Sequence, residues 1–172
     1  MGNPKGFTSP AIRCLDRHGF TIIEKLIAIS IVGIIILIAA PNLRTLAPNY
    51  SMKGAVRTVS SDIQFCRVQA VAMSSQCRIL FASGTSSGTS YQLQYYNSTT
   101  SSWINISGVE VRDFGTSSNP FYYNGVTFTP TVSEIDFQPW GAVTSATITL
   151  VNSAKTVTLS VSTTGQVSCT GC

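Results

Sequence analysis

Gly19-Phe20-Thr21-Ile22-Ile23-Glu24, followed by the apolar run of residues 26–40, decides how the rest of the chain is read. The run holds fifteen residues without a charge, and the segment 20–40 holds 21. About 20 apolar residues are needed to cross a bilayer as a helix. Upstream, residues 1–18 carry the bases Lys5, Arg13 and Arg17. A carboxylate inside an apolar segment costs about 2.5–3.5 kcal/mol on insertion scales, so Glu24 needs a reason to be there. Three readings compete. A secretory signal peptide has the basic start, but Glu24-Lys25 interrupts the apolar core, and Ile38-Ala39-Ala40 before Pro41 is a poor cleavage site. A plain anchor would let Glu24-Lys25 snorkel at the interface. The third reading is cleavage after Gly19, which keeps the apolar helix and makes Phe20 a new N-terminus.

The hexapeptide resembles the class III signal of type IV prepilins and type II secretion pseudopilins. Four features coincide: a short basic leader, Gly19-Phe20, Glu24 five residues into the shortened chain, and a retained apolar helix. Gly33 and Pro41 fall where those families commonly place a glycine and a proline, while Lys25 stands where they usually carry a leucine. The resemblance implies a prepilin peptidase that cuts between Gly19 and Phe20 and methylates the Phe20 amine. It also implies that Glu24 is the filament-assembly residue. The expected localisation is the inner membrane, single-pass, with the C-terminal domain in the periplasm, and afterwards a pilus or pseudopilus filament.

The physics of Glu24 agrees with such a role. A lone buried carboxylate neutralises or seeks a cation. The Phe20 amine of its own chain is one helical turn away, and the amine of a neighbouring chain is the intermolecular alternative. Breaking one partner of a buried pair is strongly destabilising even where the pair adds little net stability, so it acts as a register device. Lys25 is adjacent to Glu24, and adjacent helix residues do not face one another.

Composition limits the classes open to the remainder. Charged residues make up 10% of the 172, well under the usual quarter. The formal charge of +4 falls to +2 when residues 1–19 are removed, because three bases and one acid leave together. Beyond residue 77 three bases (Arg78, Arg112, Lys155) face four acids (Glu110, Asp113, Glu134, Asp136), which is no footprint for nucleic acid. Of five cysteines, Cys14 lies in the leader, leaving Cys66, Cys77, Cys169 and Cys172 as candidate disulfide partners. If one helix carried both Cys66 and Cys77, they would be about 16 Å apart, too far to bridge. That favours a link from helix to C-terminus, or a small Cys169–Cys172 ring. A metal or redox site at Cys169-x-x-Cys172 lacks a second such pair, and the single histidine, His18, is in the leader. No cofactor is expected.

Four segments follow: a leader at 1–19, a transmembrane and assembly helix at 20–41, an amphipathic helix at 42–77, and a β-rich domain at 78–172. Pro41 is expected to kink the helix, and Pro48 to loosen the stretch behind it. Ala55, Val59, Ile63, Cys66, Ala70, Met73 and Cys77 recur at helical spacing, with Lys53, Arg57, Ser61, Gln64 and Arg67 opposite. Such a stripe packs on its own domain or, alternatively, on a coiled-coil partner. Period-two patterns then predict strands at 78–82, 91–96, 103–106, 109–114, 121–129, 134–137, 147–151, 156–161 and 166–169. The fold class is α+β: a long N-terminal helix packed on a C-terminal antiparallel sheet or sandwich, the type IV pilin-like arrangement.

Ile135-Asp136-Phe137-Gln138-Pro139-Trp140-Gly141, a hairpin, and then Val161-Ser162-Thr163-Thr164-Gly165-Gln166-Val167 are similar to GspH/FimT-type minor pilins and pseudopilins. The expected function is a minor pilin or pseudopilin. This is a structural subunit that assembles into or primes a type IV pilus or type II secretion filament, with other pilin subunits as partners. The alternative is a pilus-presented DNA-uptake or adhesive subunit. Where FimT-type pilins bind DNA, arginines follow the glycine of the closing turn; here 166–172 has no base, so DNA is not an expected partner. Any contact would fall to Arg67, Arg78 or Arg112. Glu110/Asp113 and Glu134/Asp136 are carboxylate pairs that strand tips explain as well as catalysis does, and no enzyme is expected. Trp103, Trp140, Tyr95, Tyr96, Tyr122 and Tyr123 are either packing residues or an aromatic surface.

Overall fold

The computed structural model describes residues 20–172; within its helix the side chains of 38–45 are outside the description. Two compact units divide at the end of the apolar run, Met1–Ala40 and Pro41–Cys172. The element α1 (Ile22–Ala72) runs helical through both prolines. Nine strands follow: β1 (Cys77–Phe81), β2 (Ser90–Asn97), β3 (Ser102–Asn105), β4 (Arg112–Asp113), β5 (Thr127–Pro130), β6 (Glu134–Phe137), β7 (Ala146–Val151), β8 (Thr156–Val161) and β9 (Val167–Thr170).

Two antiparallel sheets result. One has the order β3-β2-β1-β6, with the short β4 also pairing β2. The other has the order β5-β7-β8-β9. Alternation along the strands sets the inward faces: Cys77, Ile79 and Phe81 on β1, and Val157, Leu159 and Val161 on β8. These meet a stripe of α1 made by Met52, Ala55, Val59, Ile63, Cys66 and Ala70, and all lie in one apolar cluster. Phe128 centres its aromatic part, with ring centroids 5.5 Å from Phe81, 5.7 Å from Tyr91 and 5.8 Å from Phe114. These tilted and edge-on contacts suit the ring quadrupoles.

The sequence expectation of helix to residue 77 is corrected. α1 stops at Ala72 because Ser74 adopts a left-handed φ of 49°. The Ser75 amide then donates to the Ala70 carbonyl at 3.2 Å, and the Ser74 amide to Val71 at 3.3 Å. That pair of bonds is the Schellman stop, built here on serine where glycine is usual. Met73 therefore leaves the buried stripe and is 52% exposed, while Cys77 opens β1. Met52, absent from the expected stripe, is buried.

Two expected strands shrink. The segment 109–114 keeps only Arg112–Asp113. The Asp113 carboxylate accepts from the Gly115 amide at 2.9 Å and the Thr116 hydroxyl at 2.6 Å, curling the chain away from the ladder. In 121–129 only Thr127 onward pairs. The Asn119 side chain accepts from the Phe121 amide, and Gly125 sits at φ 70°, so the first half is a turn.

Candidate assembly site

The helix start is set by Thr21 and Glu24. The Glu24 amide donates to Thr21 Oγ1 at 3.3 Å. The Thr21 hydroxyl is therefore the helix cap, and the helix dipole favours the Glu24 carboxylate in the first turn. Glu24 thus has a local role as well as the expected intermolecular one. Ser30 donates its hydroxyl to the Leu26 carbonyl at 2.8 Å, so it places no unmet polar group in the apolar run.

From Phe20 to Leu37 the apolar side chains are exposed on every side of the helix; Phe20 itself is 70% exposed. Each large side chain left in water forgoes about 1.5–3 kcal/mol of burial, so a helix apolar all round belongs in lipid or against other helices. Among the described residues no helix is long and apolar enough to cross a membrane. Residues 38–40 of the expected span lie outside the described side chains, as do Gly19 of the expected cleavage site and the side chain of Pro41, the expected kink.

In the globular unit the most constrained polar group is Asp62 of α1, 5% exposed. Its Oδ2 accepts from Arg112 Nε at 2.8 Å and from the Tyr91 hydroxyl at 2.8 Å, and its Oδ1 from Arg112 Nη2 at 3.0 Å. The Arg112 guanidinium also lies 3.8 Å from the Phe121 ring centroid. Burial, reinforced by the Asp62 charge and hydrogen bond, pushes the Tyr91 hydroxyl well above its ordinary range, so it stays a neutral donor. Burial alone would lower Arg112, but the Asp62 hydrogen bond and charge outweigh it and raise the guanidinium. Sequence reasoning missed this triad. Its one signal was a single acid, Asp62, beside the buried helical stripe.

Of the arginines considered for nucleic acid, Arg78 and Arg112 are occupied by the fold and Arg67 is exposed. Arg112 holds Asp62. Arg78 donates from Nη1 to Glu134 at 2.7 Å and from Nε to Gln94 at 2.9 Å, and lies 4.1 Å from the Trp103 ring centroid. Arg67 runs its stem past Gly165, where an added Cβ would meet Arg67 Cδ at 3.0 Å and Val143 Cγ2 at 3.1 Å, at a φ of 75°. A side chain at that closing turn would be strained, which suits glycine.

The carboxylates do not converge on a cleft. Glu110 is exposed, and the Thr116 hydroxyl with the Gly115 amide holds Asp113 below its ordinary range. Glu134 pairs with Arg78. Asp136, raised by burial and then by the Glu134 charge, has Oδ1 buried without a partner among the described residues. The aromatics do not form one surface. Tyr123 lies on α1, with its hydroxyl 2.6 Å from Thr58 Oγ1 and an added Cβ at Gly54 only 2.5 Å from its ring. Trp103 packs edge-on to Tyr96 under Arg78, and Trp140 stands exposed on its turn.

The structure pairs Cys66 with Cys77, their Cα atoms 5.6 Å apart, and Cys169 with Cys172 at 6.1 Å. The first pairing corrects the expectation that these cysteines are too distant. The helix stops between them and the chain reverses, which brings β1 back to α1. It also replaces the expected helix-to-C-terminus link.

Against known families, the prokaryotic N-terminal methylation motif matches residues 15–40. The model described as type II transport protein GspH matches residues 55–165, well over half the chain. The chain belongs to the GspH family. Escherichia coli GspH has a similar solution structure, with a TM-score of 0.54 at 12% identity, covering 72% of this chain and 90% of that one. The minor pseudopilin EpsH of the Vibrio cholerae type 2 secretion system gives 0.50 at 7%, covering 66% and 91%. Pseudomonas aeruginosa minor pilin FimU gives 0.46 at 17%, covering 69% and 91%. No curated protein matches. At identities this low, GspH and EpsH show the fold, α+β and type IV pilin-like. Family membership makes this GspH-family chain a minor pilin or pseudopilin, a structural subunit.

Proposed function

We propose that this GspH-family chain is cut between Gly19 and Phe20 by a prepilin peptidase and N-methylated on Phe20. Residues 20–41 then hold it in the inner membrane with the β-rich unit in the periplasm. From there it enters or primes a type IV pilus or type II secretion filament, with Glu24 fixing register against other subunits. The observation that carries this reading is a helix apolar and exposed on all sides, interrupted by one carboxylate in its first turn and joined to a folded unit. Such a surface needs an apolar partner, and a carboxylate that enters it needs a cation. Arg78 and Arg112 are engaged within the fold, which favours this reading over a DNA-uptake subunit. Intact-mass and N-terminal analysis of the membrane-extracted protein tests it. The expected chain begins at N-methylated Phe20; a chain beginning at Met1, or one cut after Ala40, overturns it.

A further inference from the structure

A groove of about 680 Å³ lies in the globular unit between the start of its helix and the β7–β8 hairpin, lined by Tyr50, Lys53, Gly54, Val56, Arg57, Lys155 and Cys172. Three of these are cations and none has a carboxylate side chain. Lys53 and Arg57 are one helical turn apart and exposed, and among the described residues neither makes a hydrogen bond or ion pair. Lys155 spends one donor on the Gly171 carbonyl at 3.2 Å. Like charges one turn apart repel, so their helix gains nothing from them alone. A concave wall with an excess of cations focuses potential and attracts the opposite charge. The walls between the cations are apolar: Val56, the stem of Arg57 and the ring of Tyr50, 69% exposed.

Two classes of anion compete for such a groove, the phosphates of a membrane surface and the carboxylates of a protein. A lipid surface is broad, whereas this site is a groove with an aromatic wall. That shape favours a carboxylate-bearing protein segment.

We propose that this groove docks an acidic segment of a neighbouring filament subunit, with Lys53, Arg57 and Lys155 pairing its carboxylates and Tyr50 and Val56 covering its apolar stems. The proposal rests on the assembly reading for the identity of the neighbour, and the docking chemistry is tested apart from assembly. The experiment is binding of a fluorescent hexaglutamate peptide to the full chain in zwitterionic detergent micelles, read by anisotropy at low and at physiological salt. Saturable binding is expected, weaker at higher salt. K53E/R57E should weaken it by about tenfold or more, the loss that follows when charged pairs across an interface are removed. R67E, outside the groove, should retain it. Both altered residues are exposed, and an unchanged thermal midpoint verifies the fold. Absence of saturable binding, or equal binding by K53E/R57E, overturns the proposal. So does a phosphatidylglycerol vesicle that engages Lys53 and Arg57 where hexaglutamate does not. A precursor found uncut at Gly19 that still binds hexaglutamate would leave the groove standing and remove only the assembly reading.

Discussion

Asp62 and Arg112, fifty residues apart in sequence, meet in a two-point ion pair that ties the helix to the edge of the first sheet. Tyr91 adds its hydroxyl from β2, so three elements converge on one buried carboxylate. Removing only the acid leaves a guanidinium and a phenol without their acceptor. Asp62→Ala should therefore cost about 3–5 kcal/mol of unfolding free energy. Joint replacement, Asp62→Leu with Arg112→Met and Tyr91→Phe, should recover most of that loss, because no buried polar group is then stranded. Denaturant unfolding of the full chain in detergent compares them. A single variant as stable as the parent would show that the triad adds nothing.

The two disulfides should differ in worth. Cys66 and Cys77 enclose a separation of 11 residues, and Cys169 and Cys172 one of 3. Loop-closure entropy assigns about 3 kcal/mol to the longer loop and less to the shorter. Cys66→Ala with Cys77→Ala should lower stability by about that amount, and the C-terminal pair of changes by less. Alkylation and mass measurement without reductant should find all four cysteines blocked. A free thiol at Cys66 or Cys77 would contradict the pairing.

Much of the fold was open to sequence reading because its causes are local. Leu159 alternates with Thr158 and Ser160 on β8, and Ala55, Val59, Ile63, Cys66 and Ala70 recur at helical spacing, so each buried face shows directly. The hidden parts depend on contacts distant in sequence or on uncommon residues. The helix stop uses Ser74 in a left-handed conformation, where glycine would have been the visible signal. Once that stop was missed, Cys66 and Cys77 were placed on one helix and judged too far apart. Asp62 carries no mark of its partner, because Arg112 arrives from a strand that shortens around Asp113. The proposed assembly residues Phe20 and Glu24 were legible as a motif, since a carboxylate stands out in an apolar run.

Asp136 should couple stability to pH. Its folded-state pKa is raised from an ordinary value of 3.8 by burial and by Glu134, so the fold binds its proton more tightly than the unfolded chain does. Ionisation then penalises the fold, fully above the folded pKa and not at all below the unfolded one. Asp136→Asn should raise the melting temperature at neutral pH by no more than about 4 °C, the group being partly solvated. The gain should shrink as pH falls through the carboxylate range. Equal gains at neutral and acidic pH would assign the effect to something other than charge.

Glu24 has two roles that single substitutions can separate. Its backbone amide is capped by the Thr21 hydroxyl, which supports the first turn by about 1 kcal/mol. As the one carboxylate of the apolar helix it would pair with a neighbouring amine in a filament. Glu24→Gln leaves the backbone cap in place and removes the charge, whereas Thr21→Ala removes the cap and keeps the charge. If pairing governs assembly, Glu24→Gln should abolish incorporation into filaments while Thr21→Ala retains it. Unfolding of the globular unit should be unchanged in both, because neither residue belongs to its core. Immunoblots of sheared filament fractions against membrane fractions give the readout. Loss of incorporation in Thr21→Ala alone would assign the importance of this position to helix initiation instead of charge.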